Sequence, residues 1–320
     1  MATNEVTPAR RRGQSVPGVA TLNASQQAIW KYLVLTVVTI PFMSFLIAIF
    51  LFWRYGIDWV AIASLPVMYT LTLLGISVGF HRHLAHRSFQ TSATARIVLV
   101  ALGSMAVQGP ILTWAALHRR HHRYSDCAGD PHSPYIYADG SNIRGMWRGL
   151  WHSHLGWLFS ADVNDWGHFV PDLLHDRTLF KLHRMYLVFV IAGLILPAAA
   201  VGLINGSWSG ALAGFLWGGL VRICLVHHAS WTVGSLSHMY GSQPFNTHDQ
   251  SRNNAWLSLA TLGDSWQNNH HAFPSSALHG LKWWQLDPSG WVIKALWKAG
   301  IIWNVDVPAS HLIDARQKRH

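Results

Sequence analysis

The segment LVLTVVTIPFMSFLIAIFLFW, residues 33–53, contains 21 residues and no formal charge. A transmembrane helix needs about 20 mostly apolar residues. Three further runs, at 59–80, 186–204 and 208–226, have similar length and composition, and Arg222 is the one charged residue within them. Buried core helices of a soluble protein are the alternative. Four such runs in a chain of 320 residues favour a membrane protein instead.

A fifth apolar run, at 97–117, contains Gln108, Gly109 and Pro110 at its centre. Polar and helix-breaking residues at that place favour a segment that enters and leaves the membrane on one side. The links at 54–58 and 205–207 are short and make tight hairpins. The sequence therefore predicts an all-α integral membrane protein with four transmembrane helices in two hairpins, a re-entrant or interfacial helix, and a cytoplasmic helical cap that carries a metal site.

Composition and charge support this reading. Half of the residues are hydrophobic and 12% are charged, whereas the two cysteines are too few for a disulfide scaffold, a thiolate zinc site or a cysteine-bound iron–sulfur cluster. With the N-terminus inside, every Lys and Arg except Arg54 and Arg222 lies on the cytoplasmic side or in the tails. The net charge of +10 then faces anionic lipid, and we expect no nucleic-acid partner.

The same topology sets the predicted boundaries. Residues 1–28 are expected to be a flexible cytoplasmic tail, because they are polar and lack the apolar core of a signal peptide. Residues 29–305 form the membrane domain, and residues 306–320 form a C-terminal tail that is also cytoplasmic.

Histidine is the unusual residue of this chain, with 21 copies against 14 acids. Many of the histidines stand in groups that each follow an apolar segment, on the predicted cytoplasmic side. These groups are His81, His83 and His86; His118, His121 and His122; His238; and His270 with His271.

Their spacing has a structural meaning. Positions i, i+3 and i+4 share one face of a helix, so His118, His121 and His122 present three imidazoles together. The same spacing recurs at 267–271, where Gln267 takes the first place. In the first group, spacing alone does not decide which of two histidines, at 81 and 83, points inward with the one at 86.

A single group of this kind is often only a polar helix surface, but four groups at one depth indicate metal binding. Imidazole suits iron, zinc, copper and nickel, and eight histidines match two ions better than one. A zinc transporter or metal sensor is the alternative. A transporter needs polar ligands along a path through the bilayer, and these spans are nearly free of acids and histidines.

The motifs HRHLAH (81–86), HRRHH (118–122), NNHHAFP (268–274) and WTVGSLSHMYG (231–241) together resemble those of the membrane-bound fatty acid desaturases. The resemblance runs from about residue 30 to 305. It is strongest to the bacterial acyl-CoA or acyl-lipid Δ9 type.

This resemblance implies a reaction and a ligand set. The expected activity is O2-dependent insertion of a cis double bond, at Δ9, into a saturated acyl chain at a centre of two iron ions. The implied iron ligands are His81, His86, His118, His121, His122, His238, His270 and His271. The resemblance assigns no ligand role to His83, and His227 and His228 are expected to be supporting or structural.

Two positions depart from the family pattern. Gln267 stands where the family usually has a histidine ligand, and Gly234 stands where it usually has an asparagine that contacts a metal-bound water. An amide oxygen is a weaker iron ligand than imidazole, and glycine offers no ligand at all. The departures predict a more open or weaker second iron site.

Residues 81–86, 118–122 and 268–274 are called the first, second and third histidine boxes below. Carboxylates near these boxes are further candidates for the metal site. Gln267, Asp264 and Asp126 are expected either to bind metal or to support its ligands, and Asp130 and Asp249 also stand beside the boxes. Acids in such places orient ligand imidazoles through the second ring nitrogen.

The electrons must come from another protein, because the chain has no GxGxxG fingerprint and no cysteine set for a cluster. The expected donor is a ferredoxin, a rubredoxin or a small cytochrome with its reductase. The expected substrate is an acyl-CoA or a membrane acyl-lipid, and the expected location is the bacterial inner membrane. A related di-iron hydroxylase or oxidase of alkyl chains is the second hypothesis.

Overall fold

The computed structural model describes residues 15–56 and 58–318. Within these residues it contains four helices that are long and apolar enough to cross a membrane: Ala24–Tyr55, Trp59–Ala85, Tyr186–Asn205 and Trp208–Met239. Each includes one of the four predicted apolar runs. The prediction of an all-α membrane protein with four spans is confirmed, and three of the helices extend well beyond the predicted ends.

The elements follow one another along the chain as α-helices. They are α1 Ala24–Tyr55, α2 Trp59–Leu74, α3 Ala93–Met105, α4 Ile111–Tyr124, α5 Met146–His154, α6 Trp166–Phe169, α7 Pro171–Leu174, α8 Arg177–Arg184, α9 Tyr186–Asn205, α10 Trp208–Gly214, α11 Arg222–Gly234, α12 Leu236–Met239, α13 Gln267–Ala272, α14 Pro288–Lys298 and α15 Ser310–Arg316. Longer irregular segments lie before α5, α13 and α14.

Two stretches of π-helix continue spans. Gly75–Ala85 extends α2, and Phe215–Val221 joins α10 to α11. Short 3-10 turns cover Gly156–Phe159 and Ala255–Leu257.

In the part of the chain that the structure describes, four short strands form two antiparallel pairs. Strand β1 (Val19–Thr21) pairs with β3 (Asp162–Asn164), with Ala20 opposite Val163. Strand β2 (Gln90–Thr91) pairs with β4 (Ile302–Trp303). Both pairs lie outside the spans and tie distant parts of the chain together.

The long helices carry their apolar side chains outward. On α1, Phe50 is 62% exposed, and on α9 Leu203 is 82% exposed, whereas small residues such as Ser44 and Ala48 are buried. This inverted distribution suits helices that are surrounded by lipid. Lipid tails are as apolar as these side chains, so exposing them there carries no free-energy penalty, and the helix satisfies its own backbone hydrogen bonds.

Close contact between α3 and the π-helical end of the second span brings the first histidine group toward the core. A Cβ atom at Gly75 would lie 2.1 Å from the backbone nitrogen of Gly103, so neither backbone could approach the other with side chains present. Glycine at these two positions therefore sets the distance between the two elements.

The fifth apolar run folds as two short helices, α3 and α4, with a break between them at residues 106–110. Helix α3 has 13 residues, too few to cross a bilayer. The histidines before α3 and those on α4 meet in one cluster, so the chain leaves that cluster and returns to it. Its predicted re-entrant or interfacial placement in the membrane stays a prediction.

The segments expected to be tails carry structure where it is described. Residues 1–14 and 319–320 lie outside the described residues. Strand β1 and the start of α1 fall before residue 29, where the Asn23 side chain caps α1 by accepting from the Gln26 backbone. At the other end, α15 falls after residue 305, and Arg316 donates to the carbonyl of Ala272 near the third histidine group. The domain limits themselves stay a prediction.

Candidate metal centre

Five histidines from three parts of the chain form a first cluster, in which one ring nitrogen of each lies within 4.8 Å of the others. They are His81, His86, His118, His122 and His270. The Nε2 atom of His270 lies 3.0 Å from Nε2 of His81 and 2.9 Å from Nε2 of His122. The Nε2 atoms of His86 and His118 are 2.6 Å apart.

The π-helix selects which histidines of the first group face inward. In a π-helix the backbone bonds run from i to i+5, and His86 N–H donates to the His81 carbonyl at 3.0 Å. The two imidazoles therefore share one face, with ring centroids 5.0 Å apart. His83 points away and lies 3.1 Å from the Phe89 carbonyl through Nδ1. The first and last histidines of this group, to which the resemblance assigns ligand roles, are the two whose rings lie in the first cluster.

Helix α4 divides its three imidazoles between two clusters. His118 and His122 join the first cluster, whereas His121 forms a second cluster with His238 and His271. Trp114, one turn before His118, stacks on its ring at 5.1 Å and 15°. The i, i+3, i+4 spacing thus presents one face of α4 to two neighbouring sites.

Each imidazole of the second cluster is held by a carboxylate through Nδ1. His121 lies 3.0 Å from Asp130, His238 lies 2.9 Å from Asp126, and His271 makes a short bond with Asp249. A bond at Nδ1 fixes the ring and leaves Nε2 free to bind a metal.

Among the described residues, one carboxylate contacts a first-cluster ring in a similar way. Asp264 lies 3.5 Å from Nδ1 of His81, accepts from Ser77 Oγ at 2.7 Å, and pairs with Arg82 at 3.1 Å. Arg82 is fully buried and also pairs with Asp287 at 2.8 Å. Asp264 and Asp126, expected either to bind metal or to support its ligands, both contact ring nitrogens that are turned away from the cluster centres. Their role stays a prediction.

Burial and charge set the protonation of the centre. Burial first, and then neighbouring imidazoles, lower the pKa of His118, His122 and His270 well below 6.5. Burial would raise the pKa of Asp130 and Asp249, but the bonded imidazoles outweigh it and hold both below their ordinary value. The lowered pKa values of these three rings of the first cluster favour the neutral imidazole, the form in which histidine binds a metal.

Gln267 lies where the sequence predicted a weaker ligand. Its side chain is buried, its Nε2 is 3.0 Å from Nε2 of His271, and its Oε1 has no hydrogen-bond partner in the described chain. The amide therefore reaches the second cluster and offers one unused oxygen.

His132 fills the space beside Gly234. A Cβ atom at Gly234 would lie 3.1 Å from both Nδ1 and Cε1 of the His132 imidazole. That ring stacks on His121 at 4.3 Å. Any larger residue at position 234 would have to displace the His132 ring.

These two clusters fit metal ions. Two nitrogens at right angles on one ion, each about 2.1 Å from it, are about 3 Å apart, as the Nε2 atoms around His270 are. In the second cluster, the buried Nε2 atoms of His121 and His238 lack a hydrogen-bond partner within residues 15–56 and 58–318. Buried polar atoms without a partner are costly unless a ligand satisfies them.

Two histidines beside the clusters, the buried His279 and the half-buried His132, have no counterpart in the predicted set. The His279 ring is tilted against His270, with ring centroids 4.4 Å apart, and lies 3.2 Å from Asp264, whereas His132 lies against His121. Neither shows helical spacing with other histidines, so only their long-range contacts identify them. By contrast, His227 bonds to backbone carbonyls and His228 to His154, away from both clusters.

The Asp249→Asn variant tests the support of the second cluster. Asparagine has the same shape but no charge, so it holds the His271 ring less well. We expect metal affinity of the second site to fall about tenfold to a hundredfold, measured as metal retained against a chelator series. Asp314→Asn, at an exposed acid of α15, is the control. Equal retention by both variants would contradict a supporting role for Asp249.

Comparison with known proteins identifies the family. The model of the fatty acid desaturase family matches residues 57–304. A hex-5-enoyl-[acyl-carrier protein] acetylenase of Moorena producens is 46% identical over 278 residues, 87% of each chain. Delta-9 acyl-lipid desaturase 1 of Arabidopsis thaliana is 35% identical over 80% of this chain and 78% of its own.

A third relative is the sn-1 stearoyl-lipid 9-desaturase of Synechocystis, which is 34% identical over 82% of this chain and 77% of its own. Residues 57–304, matched by the family model, contain all three histidine boxes and both clusters. The chain is a membrane oxidoreductase and belongs to the fatty acid desaturase family.

Proposed function

We propose that the protein is an O2-dependent acyl desaturase that introduces a cis double bond, at Δ9, into a saturated acyl chain. The observation that carries this proposal is the pair of adjacent imidazole clusters, five histidines and three, beside the ends of apolar spans. Several relatives are named as desaturases of acyl lipids at this position.

The proposed metal is iron, with the eight histidines as its ligands. His81, His86, His118, His122 and His270 would hold one ion, and His121, His238 and His271 would hold the other, with the Gln267 amide oxygen at its open side. Bound iron would supply, with O2 and two external electrons, the oxidising power to remove two hydrogens from an unactivated pair of methylenes.

In this proposal, carboxylates of the protein hold the metal-binding imidazoles in position. A methylene has no acidic proton, so no side-chain base can start the reaction. Asp126, Asp130 and Asp249 instead hold three imidazoles in one tautomer, with Nε2 turned to the cluster centre. Asp264 does the same for His81, and Arg82 balances its charge in the buried interior.

A second candidate has its own support. The relative that is 46% identical is named as an acetylenase of a hex-5-enoyl chain on an acyl-carrier protein. Removal of two hydrogens from an existing double bond needs the same kind of centre as removal from a saturated pair. The alternative of a metal transporter is not retained, because the family is one of oxidoreductases.

The finer assignments of partner and place are also part of this proposal. The acyl chain is carried by coenzyme A or a membrane lipid, and an external ferredoxin, rubredoxin or small cytochrome with its reductase supplies electrons. The basic side of the chain, with the metal centre and both termini, faces the cytoplasm at the bacterial inner membrane.

Expression in a desaturase-deficient bacterium tests the function. We expect new acyl chains two mass units lighter than the saturated parent, with the double bond at carbon 9, in lipid profiles of the host. Feeding hex-5-enoate to the same host would distinguish the acetylenase candidate from the desaturase, because only an acetylenase removes two hydrogens from the existing double bond. A product that gains one oxygen would show hydroxylation, and zinc-loaded protein without O2 consumption would overturn the redox proposal. A His122→Ala variant in the same host is the inactive control.

A further inference from the structure

The break between α3 and α4 poses a problem for a chain in a membrane. Helix α3 ends at Met105, and its last carbonyls have no partner further along the helix. Val107 and Gly109 have positive φ angles, of 61° and 93°, so the helix cannot continue. Backbone groups at membrane depth need partners from the protein itself.

Arg222 supplies the first partners. It is fully buried in the fourth span, and its guanidinium donates to three carbonyls on three elements. Nε donates to Gly218 at 3.1 Å, Nη2 donates to Gly193 on α9 at 2.8 Å, and Nη1 donates to Met105 at the end of α3. A Cβ atom at Gly193 would lie 3.2 Å from Nη2, so glycine there permits the approach.

His227 supplies the next partners. It lies five residues after Arg222 on α11, and its Nε2 is 3.1 Å from the Ala106 carbonyl and 3.0 Å from the Val107 carbonyl. Because carbonyls only accept, Nε2 carries the proton and donates to both. Arg222 and His227 thus bond to three consecutive carbonyls, at 105, 106 and 107.

Side chains near the start of α9 satisfy the other side of the break. The Gly109 N–H donates to the Tyr186 hydroxyl at 3.1 Å, and the Leu112 N–H donates to Nδ1 of His183 at 3.3 Å. Pro110 has no N–H to satisfy. The break is therefore held on both sides. Arg222 and His227 of the fourth span bond to its carbonyls, and Tyr186 of α9 and His183 of α8 accept from its N–H groups.

The position of this break sets the position of α4. Helix α4 begins at Ile111, and its first turns carry Trp114, which stacks on His118. A shift of the break would move His118, His121 and His122 together. We infer that Arg222 and His227 form a clamp on the end of α3 that positions the metal-binding face of α4.

This inference goes beyond the proposed reaction and rests on it only where metal binding by α4 is used as a readout. The pair of variants His227→Leu and His227→Gln tests it. Leucine fills similar space without a donor, whereas the glutamine amide can still donate to both carbonyls. Arg222→Met removes the guanidinium in the same way.

Backbone hydrogen exchange of residues 106–114, measured on metal-free protein in lipid nanodiscs, reports the clamp directly. We expect exchange there to rise about tenfold or more in His227→Leu and Arg222→Met. Exchange in α1 should stay as in the parent, and His227→Gln should restore the parent rate. The visible spectrum of bound Co²⁺ should change in the same two variants, and less Co²⁺ should be retained at both clusters, because α4 contributes imidazoles to each.

His228→Leu is the matched control, because that neighbouring histidine bonds to His154 and not to the break. Unchanged exchange at 106–114 in His227→Leu and Arg222→Met would overturn the inference. An equal rise over all spans would also overturn it, because it would show general destabilisation. A parent protein without desaturase activity would contradict the proposed function and leave the exchange result interpretable.

Discussion

Replacement of His270 by alanine is expected to abolish turnover and to reduce bound metal from about two ions per chain to about one. His270 sits between His81 and His122, with its Nε2 about 3 Å from each. It is the one imidazole that α13 contributes to the first cluster. Its loss therefore leaves the first cluster without a ligand from α13.

The size of this effect follows from the role of the ring. A partner that only orients a metal ligand is worth about tenfold to a hundredfold in metal affinity or activity, and a direct ligand should exceed that. We therefore expect a loss of more than about a hundredfold in product formation. Metal content of the purified protein and acyl products in the deficient host are the two measurements.

His83→Gln is the matched control, because it also replaces a histidine. His83 belongs to the first box but lies outside both clusters, against Phe89. It should keep both ions and its turnover. Two ions retained by His270→Ala, or one lost from His83→Gln, would show that the assigned ligand set is wrong.

Gln267→His is expected to strengthen metal binding at the second cluster. Three histidines face this site, against five at the first, and Gln267 adds one amide group. The side chain is buried with its Oε1 unpartnered. Because an imidazole reaches about as far as a glutamine amide, the new ring should meet the same space, and iron binds imidazole more strongly than an amide oxygen.

The expected gain is about tenfold or more in the affinity of the more weakly held ion. Stepwise removal by a chelator should show two phases in the parent and a delayed second phase in the variant. Gln267→Leu, which removes the amide, should shift that phase in the opposite direction. If the parent and both variants release metal identically, the residue at position 267 does not bind the metal.

Much of the fold could be predicted because it depends on local properties. An uncharged run such as residues 33–53 forms a spanning helix wherever it sits, since the bilayer demands about 20 apolar residues with satisfied backbones. The face shared by His118, His121 and His122 follows from helical spacing alone.

Other features could not be predicted because they depend on the backbone path. Spacing left His81 and His83 as alternatives, and the π-helix at Gly75–Ala85 resolved them by bringing the first onto the face of His86. The role of Arg222 could not be predicted either, because it depends on the break after α3. In the sequence, Arg222 is only a single charge in an apolar run.

The sequence by itself determined the number of spans and the histidine groups, since hydropathy and helical periodicity act over a few residues. The tertiary structure decided how those groups divide into five and three. His81 meets His270 across 189 residues, and His238 meets Asp126 across 112. Such contacts depend on how the helices pack, because no local pattern specifies which distant side chain will face a given ring.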